Sequence, residues 1–248
     1  FSPDRQLAVY QTDQGTALFD FHRYDLVSQK SYFWNNLIGN LVFTPDSSQI
    51  FYYYADPATG EKSLIRASNF NQDIQRMADL RELNFNRPSL AISPDGQKVL
   101  LTEGDVYIFD IYTKTLTKLT DLGKAVAAFF TPDSQTILYL VNSPDPTQPL
   151  PYLLSLMDKE GKNKKELYIR TALDKMIVSA DCLRAYIDTG QGLYKVNLRS
   201  GEKLALVFEG QILAKNLILS ADEKKLYFIE EKINYIMVVD IATKEESY

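Results

Sequence analysis

Histidine is nearly missing from the 248-residue chain, which holds only His22. Cysteine and tryptophan also occur once each, as Cys182 and Trp34. These scarcities exclude several chemistries. A Ser-His-Asp triad needs an imidazole base, and His22 lies in Phe19-Asp20-Phe21-His22-Arg23-Tyr24, an alternating stretch that reads as an ordinary strand. The sequence has no Gly-x-Ser-x-Gly elbow and no glycine-rich phosphate loop. One thiol permits no intrachain disulfide, and Cys182 falls in a turn, where a structural role is expected. Transition-metal sites draw on His and Cys clusters, and there are none to draw on. Calcium needs only oxygen ligands, but no Asp-x-Asp-x-Asp-Gly spacing occurs. Asp56-Pro57-Ala58-Thr59-Gly60-Glu61 reads as a turn. The expectation is therefore no catalytic residue, no metal and no cofactor.

Long apolar runs are missing too. Nothing approaches the roughly 18 to 20 residues of a membrane-spanning helix. The chain opens at Phe1 with no Met and no signal-like segment, so a mature form or a segment of a longer chain is expected. Clustered positive charge is likewise scarce. The net charge is −5, and the densest basic run, Lys159 to Lys165, is interrupted by Glu160 and followed by Glu166. That is a solvated turn rather than a grip on a phosphate backbone, so no nucleic-acid partner is expected.

Aromatic residues are plentiful, with 16 Tyr and 13 Phe in short clusters. Such side chains favour pleated, half-buried surfaces, so the composition leans toward strands. The arrangement is repetitive. An apolar strand ends in Ser/Thr-Pro-Asp, a small or polar residue follows, and a second apolar strand begins. The motif occurs at Ser2-Pro3-Asp4, Thr44-Pro45-Asp46, Ser93-Pro94-Asp95-Gly96 and Thr131-Pro132-Asp133. Two altered copies, Ser179-Ala180-Asp181 and Ser220-Ala221-Asp222, continue the series. Successive spacings are 42, 49, 38, 48 and 41 residues, within the roughly 40 to 50 residues of a four-stranded propeller blade. Proline presets φ for a turn and aspartate bonds the backbone N–H groups ahead of it. Each copy is thus expected to be a tight hairpin.

A second register follows the first. Tyr24-Asp25-Leu26, Phe109-Asp110-Ile111, Met157-Asp158-Lys159, Val196-Asn197-Leu198 and Val239-Asp240-Ile241 each end a strand in a polar turn, while the second repeat departs with Ala67-Ser68-Asn69. A more polar fourth strand comes next. The innermost strands, such as Val126 to Phe130, are expected to be the most continuously buried, and outer ones, such as Leu116 to Leu119, to alternate. Gln72 to Leu83 fits a short helix as well as an outer strand.

The predicted architecture is all-β: a six-bladed β-propeller of four-stranded antiparallel blades, or seven blades if flanking residues add one. It forms one domain over residues 1–248, with repeats starting near 1, 39, 88, 125, 174 and 214. The first copy lacks its innermost strand and the last is expected to stop after its third, so the missing strands are expected from residues outside this segment.

Ser93-Pro94-Asp95-Gly96, flanked by Leu90-Ala91-Ile92 and Val99-Leu100-Leu101, resembles the WD40-like propeller repeat of the TolB family, and related repeats occur in tricorn-protease and prolyl-oligopeptidase propellers. The resemblance spans all six copies. It implies a periplasmic or otherwise extracytoplasmic protein whose propeller binds a protein or peptide partner, or gates access to a linked hydrolase. No functional residue is carried over from it.

With this strand order, loops joining blades and loops joining strands two and three share one face. The binding candidates there are Trp34, Asn35, Asn36, Phe85, Asn86, Arg87, Gln148 and the Pro144 to Pro151 loop, since long loops carry function more often than tight turns. The aromatic run Phe51-Tyr52-Tyr53-Tyr54 is expected in the core. The functional expectation is a non-enzymatic binding platform. The alternatives are an accessory propeller of a larger peptidase-type enzyme and a carbohydrate- or metal-dependent enzyme acting in the channel.

Overall fold

The computed structural model describes residues 2–4, 6–13, 19–25, 30–34, 41–68, 73–143, 152–171, 176–188, 192–209, 214–230 and 235–247. None of the described residues is helical, and the chain divides into two compact units, Phe1–Phe129 and Phe130–Tyr248.

The strands form six antiparallel sheets in which hydrogen-bonded neighbours follow one another in sequence. The first sheet holds β1 (Leu7–Asp13), β2 (Phe19–Asp25) and β3 (Lys30–Trp34). The second holds β4 (Leu41–Phe43), β5 (Gln49–Asp56), β6 (Glu61–Ser68) and β7 (Asp73–Asp79). The third holds β8 (Ser89–Ile92), β9 (Lys98–Glu103), β10 (Asp105–Asp110) and β11 (Thr115–Lys118). The fourth sheet begins with β12 (Ala125–Phe130), at whose end the unit boundary falls, and continues through β13 (Thr136–Asn142), β14 (Tyr152–Asp158) and β15 (Lys165–Thr171). The fifth comprises β16 (Met176–Val178), β17 (Arg184–Asp188), β18 (Gly192–Asn197) and β19 (Lys203–Glu209). The sixth comprises β20 (Ala214–Leu219), β21 (Lys225–Glu230), β22 (Tyr235–Asp240) and β23 (Glu246–Ser247).

Two sequence expectations are corrected or resolved here. The last repeat does not stop after its third strand, because Glu246 and Ser247 pair with Val239 and Val238. Within the ambiguous Gln72 to Leu83 segment, Asp73–Asp79 form strand β7, with Ile74, Arg76 and Ala78 paired on β6 and Met77 at the register shift, and a turn follows.

In the second to fifth sheets the second strand holds the longest buried run. In β5, β9, β13 and β17, four or five consecutive residues are buried. The first strands β4 and β16 are only partly covered, short of the expected enclosure, whereas β12 is buried at four of six positions against a largely exposed β11, as expected. A second strand has a hydrogen-bonded neighbour on each edge and packing on both faces, whereas a first strand has one open edge. The second and third sheets stack face to face, as do the fifth and sixth. In the first unit Phe51, Tyr53, Leu64, Met77, Phe85, Leu101 and Phe109 form one cluster between the second and third sheets. In the second unit Tyr186, Leu193, Val207, Leu226, Phe228 and Val239 do the same between the fifth and sixth.

The hairpin motif is one hydrogen-bonded device used six times. The Ser or Thr hydroxyl donates to the Asp Oδ1 at 2.5 to 2.6 Å in every copy, from Ser2–Asp4 through Ser220–Asp222. That same Oδ1 accepts the N–H two residues on, from Gln6, Ser48, Gln97, Gln135, Leu183 or Lys224. The residue after the aspartate lies in the left-handed region: Ser47 at φ 61°, Gly96 at 71°, Ser134 at 61°, Cys182 at 58° and Glu223 at 55°. Side chains at this position also reach the preceding hairpin. Ser47 Oγ accepts the Asp4 N–H at 3.0 Å, and Glu223 Oε1 accepts the Ala180 N–H at 2.8 Å. The motif therefore latches neighbouring sheets as well as closing a turn.

These bonds favour the ionised aspartate. The Ser179 hydroxyl, then the Leu183 N–H, holds Asp181 at about 2 against an ordinary 3.8. The Thr44 hydroxyl lowers Asp46 and the Ser220 hydroxyl lowers Asp222. For Asp133 burial is the largest influence and raises the value, but the bonds from Thr131, Gln135, Cys182 and its own backbone together outweigh it. A depressed native pKa means that the unfolded chain takes up protons first on acidification. The contribution is complete above pH 3.8 and is lost as the pH falls toward about 2. Melting temperature is therefore expected to fall over that interval, and Asp181→Asn should flatten the fall. An unchanged slope in the variant would remove Asp181 from this account.

Candidate functional site

The blade-joining loops and the turns between second and third strands meet at one end of the third sheet. Gly104, at φ 75°, reverses the chain between β9 and β10, so Glu103 and Asp105 face each other across the turn. Two carboxylates at that spacing would repel, but each is engaged with a different loop. Glu103 Oε2 accepts the N–H groups of Asn86 at 2.7 Å and Arg87 at 3.0 Å. Asp105 Oδ1 accepts the Leu122 and Gly123 N–H groups and the Thr120 hydroxyl, and its Oδ2 faces Lys118 Nζ at 3.1 Å. Thr120 Oγ1 in turn accepts the Val106 N–H at 2.9 Å. Hydrogen bonds between charged and backbone groups are among the stronger ones. One tight turn thus pins the loop entering the sheet and the loop leaving it.

Electrostatics agree with this geometry. Burial pushes the Asp105 pKa up, but the bonds from Leu122, Lys118, Gly123 and Thr120 outweigh it and leave the value below ordinary. Lys118 is raised by Asp121 and Asp105, and its ammonium sits 6.0 Å from the centre of the Tyr107 ring. Tyr107 packs edge-on against Phe85 at 5.2 Å. Above this base, Asn86, Arg87, Asp121 and Leu122 are exposed to solvent.

Among the residues singled out from sequence, Asn86 and Arg87 lie on this surface. The Phe85 ring is 3% exposed and belongs to the core, so its contribution to the face is its backbone. Trp34 ends strand β3. Asn35, Asn36, Gln148 and the Pro144 to Pro151 loop lie outside the described residues. Sequence reasoning missed Glu103, Asp105, Lys118 and Thr120. The signal available was Glu103-Gly104-Asp105, a turn tripeptide between two apolar runs. The described residues contain no group of three or more His, Cys, Asp or Glu placed to hold a metal, and no helix long and apolar enough to cross a membrane.

Comparison with known proteins bears on the fold. No family model and no curated protein sequence matches the chain. Among solved structures it is similar to oligogalacturonate lyase from Vibrio parahaemolyticus, with 14% identity and a TM-score of 0.69 over 100% of this chain and 75% of that one. TolB from Acinetobacter baumannii is similar with 18% identity and a TM-score of 0.55 over 97% of this chain and 67% of that one. A chain of the nidogen/laminin complex is similar with 15% identity and a TM-score of 0.58 over 98% and 91%. With sheets of this topology, the fold class is a β-propeller. The likeness to TolB is one of propeller fold, in line with the hairpin repeat. One of these neighbours is an enzyme by name and another was solved in a protein complex, so the fold alone assigns no function.

Proposed function

We propose that the chain is a non-enzymatic binding platform that engages a protein or peptide partner through the face bearing Asn86, Arg87, Asp121 and Leu122. The observation that carries this reading is the division of labour at the Glu103–Gly104–Asp105 turn. Its carboxylates are spent on holding backbone, which leaves exposed side chains on preordered loops. Preordering lowers the entropy cost of association, and an exposed arginine beside an apolar side chain suits an interface anchor. The nidogen/laminin neighbour supports the reading by showing a similar fold inside a protein complex. An extracytoplasmic location, a single propeller over residues 1–248 and a contribution from Trp34, Asn35, Asn36 and Gln148 to the same face belong to this proposal.

Site-specific photo-crosslinking tests it. A crosslinker at Arg87 or Leu122 should trap a discrete partner, and one at Lys164, in the exposed turn between β14 and β15, should not. Arg87→Ala should weaken capture about tenfold, in line with an interface anchor. Equal capture from Lys164, or none from Arg87 and Leu122, would discard the proposed face.

The lyase neighbour favours a second reading, an enzyme acting on an acidic carbohydrate. Incubation with oligogalacturonate decides that reading directly: appearance of the unsaturated product supports it, and an unchanged polymer removes it. The third reading, an accessory propeller of a peptidase-type enzyme, is decided by whether the full gene encodes a nucleophile elbow.

A further inference from the structure

At the opposite end of the second and third sheets, two hairpins approach each other closely. A side chain at Gly96 would place its first carbon 3.4 Å from Pro45 Cδ. Beside that contact opens a groove of about 340 Å³, within the range of small-ligand sites. Arg66, Asp46 and Asp95 line it together with Gln49, Ile111 and Tyr112. We propose that this groove binds an extended peptide segment through one basic side chain. The proposal does not depend on the loop face described above.

Three observations converge on that ligand. Tyr112 is 77% exposed, so its ring offers an uncovered aromatic face at the rim. Exposed aromatic faces attract lysine and arginine head groups. Asp46 retains acceptor capacity: Oδ1 takes the Thr44 hydroxyl and the Ser48 N–H, and Oδ2 takes only the Ser48 hydroxyl. A carboxylate offers about four acceptor positions. The Thr44 hydroxyl, first among its bonds, also keeps Asp46 ionised at neutral pH. Asp95 adds a second carboxylate to the same lining.

Arg66 makes the site more than an acidic patch. Its side chain is 24% exposed and its ion pair with Asp73 is loose at 3.8 Å, so its outer N–H groups can take further acceptors. A free metal ion would not supply them, and a simple anion would meet two carboxylates. A peptide supplies both halves: a cationic head group for Asp46 and Tyr112, and main-chain carbonyls for Arg66.

The test is a titration of the whole chain, followed by amide NMR, with acetyl-Gly-Lys-Gly-amide and with acetyl-Gly-Glu-Gly-amide. The lysine peptide is expected to shift the Gly96, Arg66 and Tyr112 signals in a saturable way, and the glutamate peptide is expected to leave them in place. Tyr112→Ala and Arg66→Met should each weaken the lysine peptide about tenfold, a change of one decade in Kd. Tyr112 is a surface residue, so its variant decides the matter should Arg66→Met lose its fold. Equal shifts with both peptides, shifts confined to other residues, or undiminished binding by Tyr112→Ala would each overturn the proposal.

Discussion

Tyr53→Ala is expected to destabilise the chain by about 3–5 kcal/mol, the range for deleting a large buried aromatic. Tyr53 is fully buried in the cluster shared by the second and third sheets, against Phe51, Leu64, Phe85 and Phe109. Its hydroxyl donates to the Phe85 carbonyl at 3.0 Å. Burial first, and the Glu103 charge second, push the phenol up to about 12, so it stays protonated and remains a donor at neutral pH. Tyr53→Phe keeps the ring but leaves the Phe85 carbonyl without that donor, a loss of about 1–3 kcal/mol. The two variants separate packing from hydrogen bonding. Denaturant midpoints with an unchanged slope give both values.

The phenylalanine variant also bears on function. The Phe85 carbonyl immediately precedes Asn86, whose N–H is held by Glu103. Without the Tyr53 bond, amide exchange at Asn86 and Arg87 should accelerate more than exchange at the core of β9. A Tyr53→Ala penalty below about 1 kcal/mol would mean that the site collapses around the deletion, and the aromatic run would not be the core element that its burial indicates.

That aromatic run illustrates what one sequence discloses. Phe51, Tyr52 and Tyr53 were recognisable as core because they lie six to eight residues past a Pro-Asp turn, within the second strand of a repeat. Phe51 and Tyr52 are paired with both β4 and β6 and Tyr53 with β6, and packed clusters on the two faces bury all three. The hairpins were readable for the same reason: Pro45 and Asp46 specify a local conformation without help from distant residues. The latch between hairpins was not readable. Ser47 reaches Asp4, and Glu223 reaches Ala180, across 43 residues in each case, and nothing in a local window distinguishes a partner at that distance. The candidate face divides along the same line. Asn86 and Arg87 stand out as a loop between repeats. Glu103 and Asp105, which hold the loops, look like ordinary turn residues until the register of β9 on β10 places them opposite each other. Strand β23 escaped notice because two polar residues, Glu246 and Ser247, carry no alternation, and only pairing with β22 makes them a strand.

Gly192→Ala is the other substitution with a large expected effect, and its cause was equally hidden in the sequence. Gly192 opens β18 opposite Glu209 at φ 140°, a conformation side chains rarely adopt. A methyl group there would lie 2.8 Å from the Phe208 carbonyl oxygen and 2.8 Å from Leu206 Cδ1. The leucine methyl can move, but the carbonyl belongs to the adjoining β19 backbone, where the register already shifts between Leu193 and Tyr194. Backbone strain of about 1–3 kcal/mol adds to an overpacking cost of about 1–3 kcal/mol. Gly60→Ala is the control: Gly60 also has positive φ, at 72°, but nothing lies within 4 Å of the added carbon. It should show only the dihedral cost of about 1–2 kcal/mol. The difference between the two variants isolates the close approach of β18 to β19. Because Leu193 packs against Phe228 and Val239 in the core of the second unit, exchange should rise in the sixth sheet as well as the fifth. Equal penalties for Gly192→Ala and Gly60→Ala would show that the approach relaxes freely, and the glycine would then serve the dihedral alone.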